Sequence, residues 1–312
     1  MKATDYLTRD ELRHFTSRSN LRGAWMIASN WLIIAAVFGA VALWTHPLSI
    51  LLAIIVLGGR QLGLAVLMHE AGHKTLFRTP SLNNAPAQWL AAFPVLGDCD
   101  AYGASHREHH RLAGTDADPD LPNYRNYPVS AKSFRRKLLR DISGRTGIKL
   151  LLGTLTGAGN RIMMRDGEGT NRVPQGLAAN AVLFGLLWLA GEPLLYLLWV
   201  AAYLTAYPLA ARIRQVAEHG NVPALYEADP RGNTRTTRAN PLECLLLCPN
   251  HVNYHIEHHL LPSVPAWRLP ELHRTLMQRG FYEDYPDAIA SGYADVIRRA
   301  VPELDRRSPA AA

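Results

Sequence analysis

Apolar residues in this chain fall into a few dense runs, and the charges lie between them. Residues 24–44, AWMIASNWLIIAAVFGAVALW, carry no charge. At a rise of about 1.5 Å per residue they reach about 30 Å, the thickness of a bilayer core. Trp25 and Trp44 stand near the two ends, as interfacial anchors do. The run is too long for a secretory signal, and no small-residue cleavage site follows it. A second run covers 48–68 and contains one awkward residue, Arg60, expected where the helix leaves lipid or packs against protein. Two further runs, 176–190 and 193–211, are separated only by Gly191 and Glu192. The pattern predicts an all-α integral membrane protein with four spans in two hairpins. Pro208 is expected to bend the last span. The segments 85–97 and 148–164 are too short or too mixed to span and read as interfacial or re-entrant. No internal repeat or low-complexity linker divides the chain, which reads as one domain over 1–312 with a short polar tail after Asp305.

The charge distribution orients this pattern. The formal net charge is +7. Five Lys and Arg precede residue 24, fifteen lie from Lys74 to Arg172, and twelve lie from Arg212 onward; Arg60 completes the set. Neither hairpin loop has one. The positive-inside rule therefore places both termini, the 69–175 region and the 212–312 region in the cytoplasm, and favours a membrane surface over nucleic acid as the reason for the charge. Three cysteines, Cys99, Cys244 and Cys248, are too few for a disulfide framework and read as packing residues.

The candidate chemistry lies in thirteen histidines. His14, His46 and His273 stand alone and read as ordinary surface or packing residues. His69 and His73 are four apart in HEAGH. His106, His109 and His110 occur at i, i+3 and i+4 in HREHH, and His255, His258 and His259 repeat that spacing in HIEHH. On a helix these positions share one face. His219 lies in QVAEHG, and His251 lies four residues before His255. All three clusters fall on the cytoplasmic side at similar depth, so they can converge. Gathered cationic imidazoles would repel, whereas metal binding keeps them neutral.

His69-Glu70-xx-His73 also has the spacing of a zinc protease, in which the glutamate acts as base. A catalytic zinc needs only three protein ligands. Eight or nine imidazoles suit two metal ions, and a nitrogen-rich set without thiolate fits iron. An intramembrane zinc protease remains the alternative of another class, and a non-catalytic metal carrier or sensor a third.

The order H-x3-H, H-x2-H-H, hairpin, H-x2-H-H resembles the membrane fatty acid desaturase and hydroxylase superfamily. REHHRLAGTDADPDLP is similar to its second box with the trailing D-P-D, and NYHIEHHLLPSVPAWRLPELH to its third box with the tail that follows. The resemblance runs from about Leu21 to about His273. It implies four membrane helices and a cytoplasmic helical cap holding two irons. It implies His69, His73, His106, His109, His110, His255, His258 and His259 as ligands, with His219 as a ninth. His251 is a weaker candidate. Asn250, Asn253 and Gln215 are candidates for orienting a water or a ligand. Glu70 is expected to fix an imidazole from behind, as carboxylates do around metals. Glu108 and Glu257 read as solvated charges, and Asp118-Pro119-Asp120 as shaping the turn after the second box more than binding metal.

The implied activity is O2-dependent oxidation of an unactivated C–H bond. Desaturation of a lipid acyl chain is the first reading; hydroxylation or ketolation of a lipid or carotenoid is the second. Each cycle needs two electrons from outside, so a separate ferredoxin or b-type cytochrome with its reductase is implied as partner.

Overall fold

The computed structural model describes residues 2–156 and 172–304. It is almost wholly helical; its strands are the two-residue pair β1 (Thr236–Thr237) and β2 (Ile289–Ala290), joined in parallel. The helices that build the frame and the site are α1 (Arg9–Phe15), α2 (Asn20–Leu43), α3 (Pro47–Gly72), α4 (Cys99–Leu112), α5 (Ala131–Ile142), α6 (Arg145–Leu155), α7 (Val173–Leu189), α8 (Tyr196–Leu204), α9 (Ala206–His219), α10 (His255–Leu260), α11 (Leu269–Gln278) and α12 (Tyr293–Ala300).

Among the described residues, three stretches are long and apolar enough to cross a membrane: Asn20–Leu43, Pro47–Gly72 and Pro193–His219. The first two are joined by a short connection and pack against each other. Ser19 caps α2 by accepting the Arg22 N–H. His46 caps α3, and Pro47 occupies its first turn, where a missing N–H costs nothing. Among the three, α3 is central: 67% of its apolar window is buried, against 33% for the other two. Ile34, Phe38 and Val41 of α2 and Leu57, Leu64 and Leu67 of α3 belong to the main core. Lipid-facing residues such as Leu32, Leu51 and Leu197 are exposed, as an apolar solvent allows.

The third expected span, 176–190, is α7. Its 17 residues cover about 25 Å, short of a full bilayer core. The last span is broken at Thr205, where the backbone leaves the helical region (φ −123°, ψ −72°). Pro208 causes this: it has no N–H for the Leu204 carbonyl and its ring crowds that turn. Arg60 is buried rather than at a lipid edge. It donates to Asn30 Oδ1 at 3.3 Å and to the Leu245 carbonyl. Of the two interfacial segments, 85–97 forms short irregular helical turns with Trp89 and Leu90 exposed. Helix α6 covers the first part of 148–164; the rest of that segment, and the tail after Asp305, lie outside the described residues.

Candidate metal centre

Each histidine cluster sits where a helix delivers it. His69 lies in the last turn of α3, and His73 caps it. The HREHH run ends α4, which begins at an Asp98 cap. The HIEHH run is most of α10, and His219 closes α9. Helices α3 and α4 meet at two glycines: a Cβ on Gly72 would lie 2.9 Å from the Gly103 Cα. Only that close approach lets His73 and His106, adjacent to the crossing, face each other at 5.0 Å between ring centres.

The imidazoles gather into two groups. His69, His73, His106, His110 and His258 form one; His109, His219, His255 and His259 form the other. Within each, the nearest nitrogens all lie within 4.8 Å of one another. The groups touch, with the His110 and His259 rings 4.2 Å apart. His258 Nε2 is 2.9 Å from both His69 Nε2 and His110 Nε2. His110 Nε2 is also 3.0 Å from His106 Nε2. In the second group His255 Nε2 and His219 Nε2 are 2.9 Å apart. A neutral ring nitrogen carries either one proton or one lone pair in its plane, so it cannot serve two such neighbours. Two nitrogens bound at right angles to one metal, each at about 2.1 Å, lie about 3.0 Å apart. The spacing is that of ligands around a shared cation. His73 Nε2 and His259 Nε2 are buried with no hydrogen-bond partner, as are Nδ1 of His69, His110, His255 and His258.

The far sides of several rings are held. His109 Nδ1 is 2.8 Å from Asp118 Oδ1, and Asp118 also accepts the Asp120 N–H and the Tyr124 hydroxyl. His219 Nδ1 is 3.2 Å from the Asn233 carbonyl, and its ring stacks on Tyr124. Glu70 Oε1 stands 3.3 Å from His69 Nδ1 and Glu218 Oε1 3.6 Å from His255 Nδ1, close to the ring nitrogens but without a hydrogen bond to either. Glu70 is fixed further by the Thr75 hydroxyl and the Ala266 N–H, both at 2.9 Å. It thus stands on the Nδ1 side of His69, opposite the Nε2 that meets His258. A protease base must reach a water on the metal side, so this position argues against the protease reading, as does a fivefold imidazole group.

Electrostatics favour the neutral form for most of the set. Burial, and then the neighbouring imidazoles, push His106, His255, His258 and His259 well below the usual histidine range. Burial and the Arg107 cation bring His73 to about 4, and burial with His73 and His109 brings His110 to about 2. His109 goes the other way: burial is outweighed by its bond to Asp118 and by Asp120.

Other sequence-predicted residues fall outside the cluster. His251 is exposed, in a left-handed backbone conformation (φ 64°) in the turn before α10, and belongs to neither group. The helix that would have put it one turn below His255 does not extend that far. Asn250 donates to the Gly63 carbonyl and accepts from Asn30; Asn253 donates to the Thr237 carbonyl. Both tie backbone together. Gln215 is partly buried on α9, one turn before His219, and belongs to neither group. Glu108 pairs with Arg111 at the surface, as expected.

Glu257 corrects the sequence reading. It is fully buried, with Thr236, His273 and Tyr282 all donating to its carboxylate. His273 is therefore no isolated surface residue. The missed partners Asn233, Thr236 and Tyr282 lie in segments without a helical pattern. The clue was the short α10, too small to keep Glu257 in water while burying histidines on either side. Asp118 likewise does more than shape a turn, since it also holds His109.

A family model described as fatty acid desaturase matches residues 45–291. The chain is 31% identical over 280 residues to a dihydrorhizobitoxine desaturase of Bradyrhizobium elkanii, covering 83% of this chain and 76% of that protein. It is 28% identical over 252 residues to a beta-carotene ketolase of Paracoccus sp. (strain PC1), covering 78% and 84%. It is 29% identical over 231 residues to a sphingolipid delta(4)-desaturase/C4-monooxygenase of Bos taurus, covering 72% and 64%.

Proposed function

The chain belongs to the fatty acid desaturase family of membrane oxidoreductases, and from that premise we propose that it introduces a double bond into a lipid acyl chain at a centre of two irons. The observation that carries this reading is the pair of adjacent imidazole groups, five and four strong, with nitrogens 2.9–3.0 Å apart. His69, His73, His106, His110 and His258 would hold one iron, and His109, His219, His255 and His259 the other. Iron bound there supplies the redox chemistry that turns O2 into an oxidant for an unactivated C–H bond.

The protein's own task is placement. Asp118 and the Asn233 carbonyl hold the Nδ1 sides of His109 and His219, and Glu70 lies beside Nδ1 of His69, which leaves the Nε2 sides to face the metal. The buried setting keeps bulk water from the oxidant. For desaturation the acyl chain loses two hydrogens from neighbouring carbons. O2, with two electrons and two protons from outside, leaves as two waters. The three cysteines are free and cannot ligate an iron–sulfur cluster. The electrons are therefore assigned to a separate ferredoxin or b-type cytochrome with its reductase. The Lys and Arg distribution supports a multi-pass arrangement with both termini and the centre in the cytoplasm.

The ketolase and monooxygenase among the relatives favour a second reading, in which oxygen is inserted instead. Mass spectrometry of membrane lipids from cells expressing the chain with a suitable electron donor, beside cells expressing His255→Ala, separates the two. A product two hydrogens lighter, absent from the variant, is expected. A product one oxygen heavier moves the assignment to hydroxylation or ketolation. Identical lipids in both overturn the lipid reading.

A further inference from the structure

The metal centre leaves helices α5 and α6 without a role. Each shows two opposed stripes. On α5, Phe134, Leu138 and Asp141 face inward, and Asp141 is clasped by Arg212 of α9. The outward stripe carries Lys132, Arg135, Arg136 and Arg140, together with Leu139 and Ile142, 55% and 54% exposed. The outward stripe of α6 carries Arg145 and Lys149 with Ile148, Leu152 and Leu155, all exposed. Asp141 is the only acid in either helix, and it is buried. A face turned to water has no reason to present five large aliphatic side chains among six cations.

The position of the pair says what covers it. Gly147 of α6 lies against the end of α8: a Cβ there would come within 2.3 Å of the Leu204 carbonyl oxygen. A larger residue would push α6 away. The helix is thus fixed beside the break in a spanning segment whose Leu194 and Leu197 face outward. Its exposed aliphatic stripe stands beside that apolar segment, and α5 with its cations packs against α6. Apolar residues entering the acyl boundary, with cations at headgroup level, are the pattern of a helix lying in the interface. Cations crowded near a membrane surface favour acidic lipids.

We infer that α5 and α6 form a foot lying in the headgroup layer beside the last spanning segment, gripping acidic phospholipids with the α5 cations and seating Ile148, Leu152 and Leu155 in the acyl boundary. This surface is independent of the reaction at the metal centre. An acidic electron carrier is the competing occupant. The place beside the spanning segment and the aliphatic content of the stripe favour lipid.

The test uses the full chain in lipid nanodiscs, of phosphatidylcholine alone or with one third phosphatidylglycerol. A nitroxide is placed at Leu152→Cys or Leu139→Cys, with Cys244→Ser to remove the accessible native thiol; Cys99 and Cys248 are buried. Collisions with O2 and with a water-soluble nickel chelate report depth. The Leu152 label is expected to be reached by O2 and shielded from nickel. The Leu139 label is expected to lose nickel access when acidic lipid is added, and to regain it with Arg135→Gln, Arg136→Gln and Arg140→Gln combined. Free nickel access at both labels in both lipids overturns the proposal. So does shielding that ignores acidic lipid, or shielding that arises only on adding an acidic ferredoxin. Both label sites are exposed, so folding of the variants is not in question, and no activity is read.

Discussion

Glu257 accepts a hydrogen bond from Nδ1 of His273, although Glu257 sits between two histidines that face the metal centre. The Thr236 and Tyr282 hydroxyls complete its shell. The carboxylate therefore anchors the back of α10 while His255, His258 and His259 project from the front. Glu257→Ala would leave three buried donors without an acceptor, a cost of about 2–4 kcal/mol. Thermal unfolding in detergent should show that loss, and bound iron should fall with it. Glu108→Ala, which removes only a solvent-screened surface pair, should leave the unfolding temperature essentially unchanged.

Asp118 fixes which nitrogen of His109 faces the second imidazole group. Asp118→Asn keeps the shape and weakens that control. Affinity for the metal held by His109, His219, His255 and His259 should drop roughly 10–100-fold. Asp116 is exposed and makes no such bond, so Asp116→Asn should leave metal affinity unchanged. Metal titration of the stripped protein reads both.

His219 and His251 make opposite predictions. His219→Ala removes one of four imidazoles from the second group and should lower iron occupancy there and abolish turnover. His251→Ala should retain iron and activity, since that ring is exposed and outside both groups. Elemental analysis of the two purified variants decides this.

The metal-free protein should lose stability in acid. His73 and His110 are held down at about 4 and about 2 in the folded chain, whereas an unfolded histidine titrates near 6.5. Below pH 6.5 the unfolded state binds more protons than the folded one, so stability falls as pH falls. Two such groups give a slope of about 2–3 kcal/mol per pH unit between 6.5 and 4. His109, raised by Asp118 and Asp120, has the opposite sign and contributes stability that is lost as pH rises above 6.5. Bound iron keeps the imidazoles neutral, so the loaded protein should hold its melting temperature to lower pH than the stripped one.

The ligand candidates were legible because helical spacing puts i, i+3 and i+4 on one face, and HREHH and HIEHH each fall on a helix. Three of the four expected spans were legible because lipid demands long apolar runs. Asn233, Thr236 and Tyr282 were not, because they reach the site from irregular segments whose positions depend on tertiary packing. His251, the weaker candidate, lies outside both groups for a related reason. Four-residue spacing implies a shared face only on a continuous helix, and the left-handed turn at Asn250 and His251 breaks it.

The most direct test of the central claim is metal analysis of the purified chain after anaerobic loading with ferrous iron and zinc together, followed by Mössbauer spectroscopy. Two irons per chain, magnetically coupled once oxidised, are the predicted result. A single bound zinc, with the second imidazole group empty, would contradict the account and return HEAGH to its protease reading.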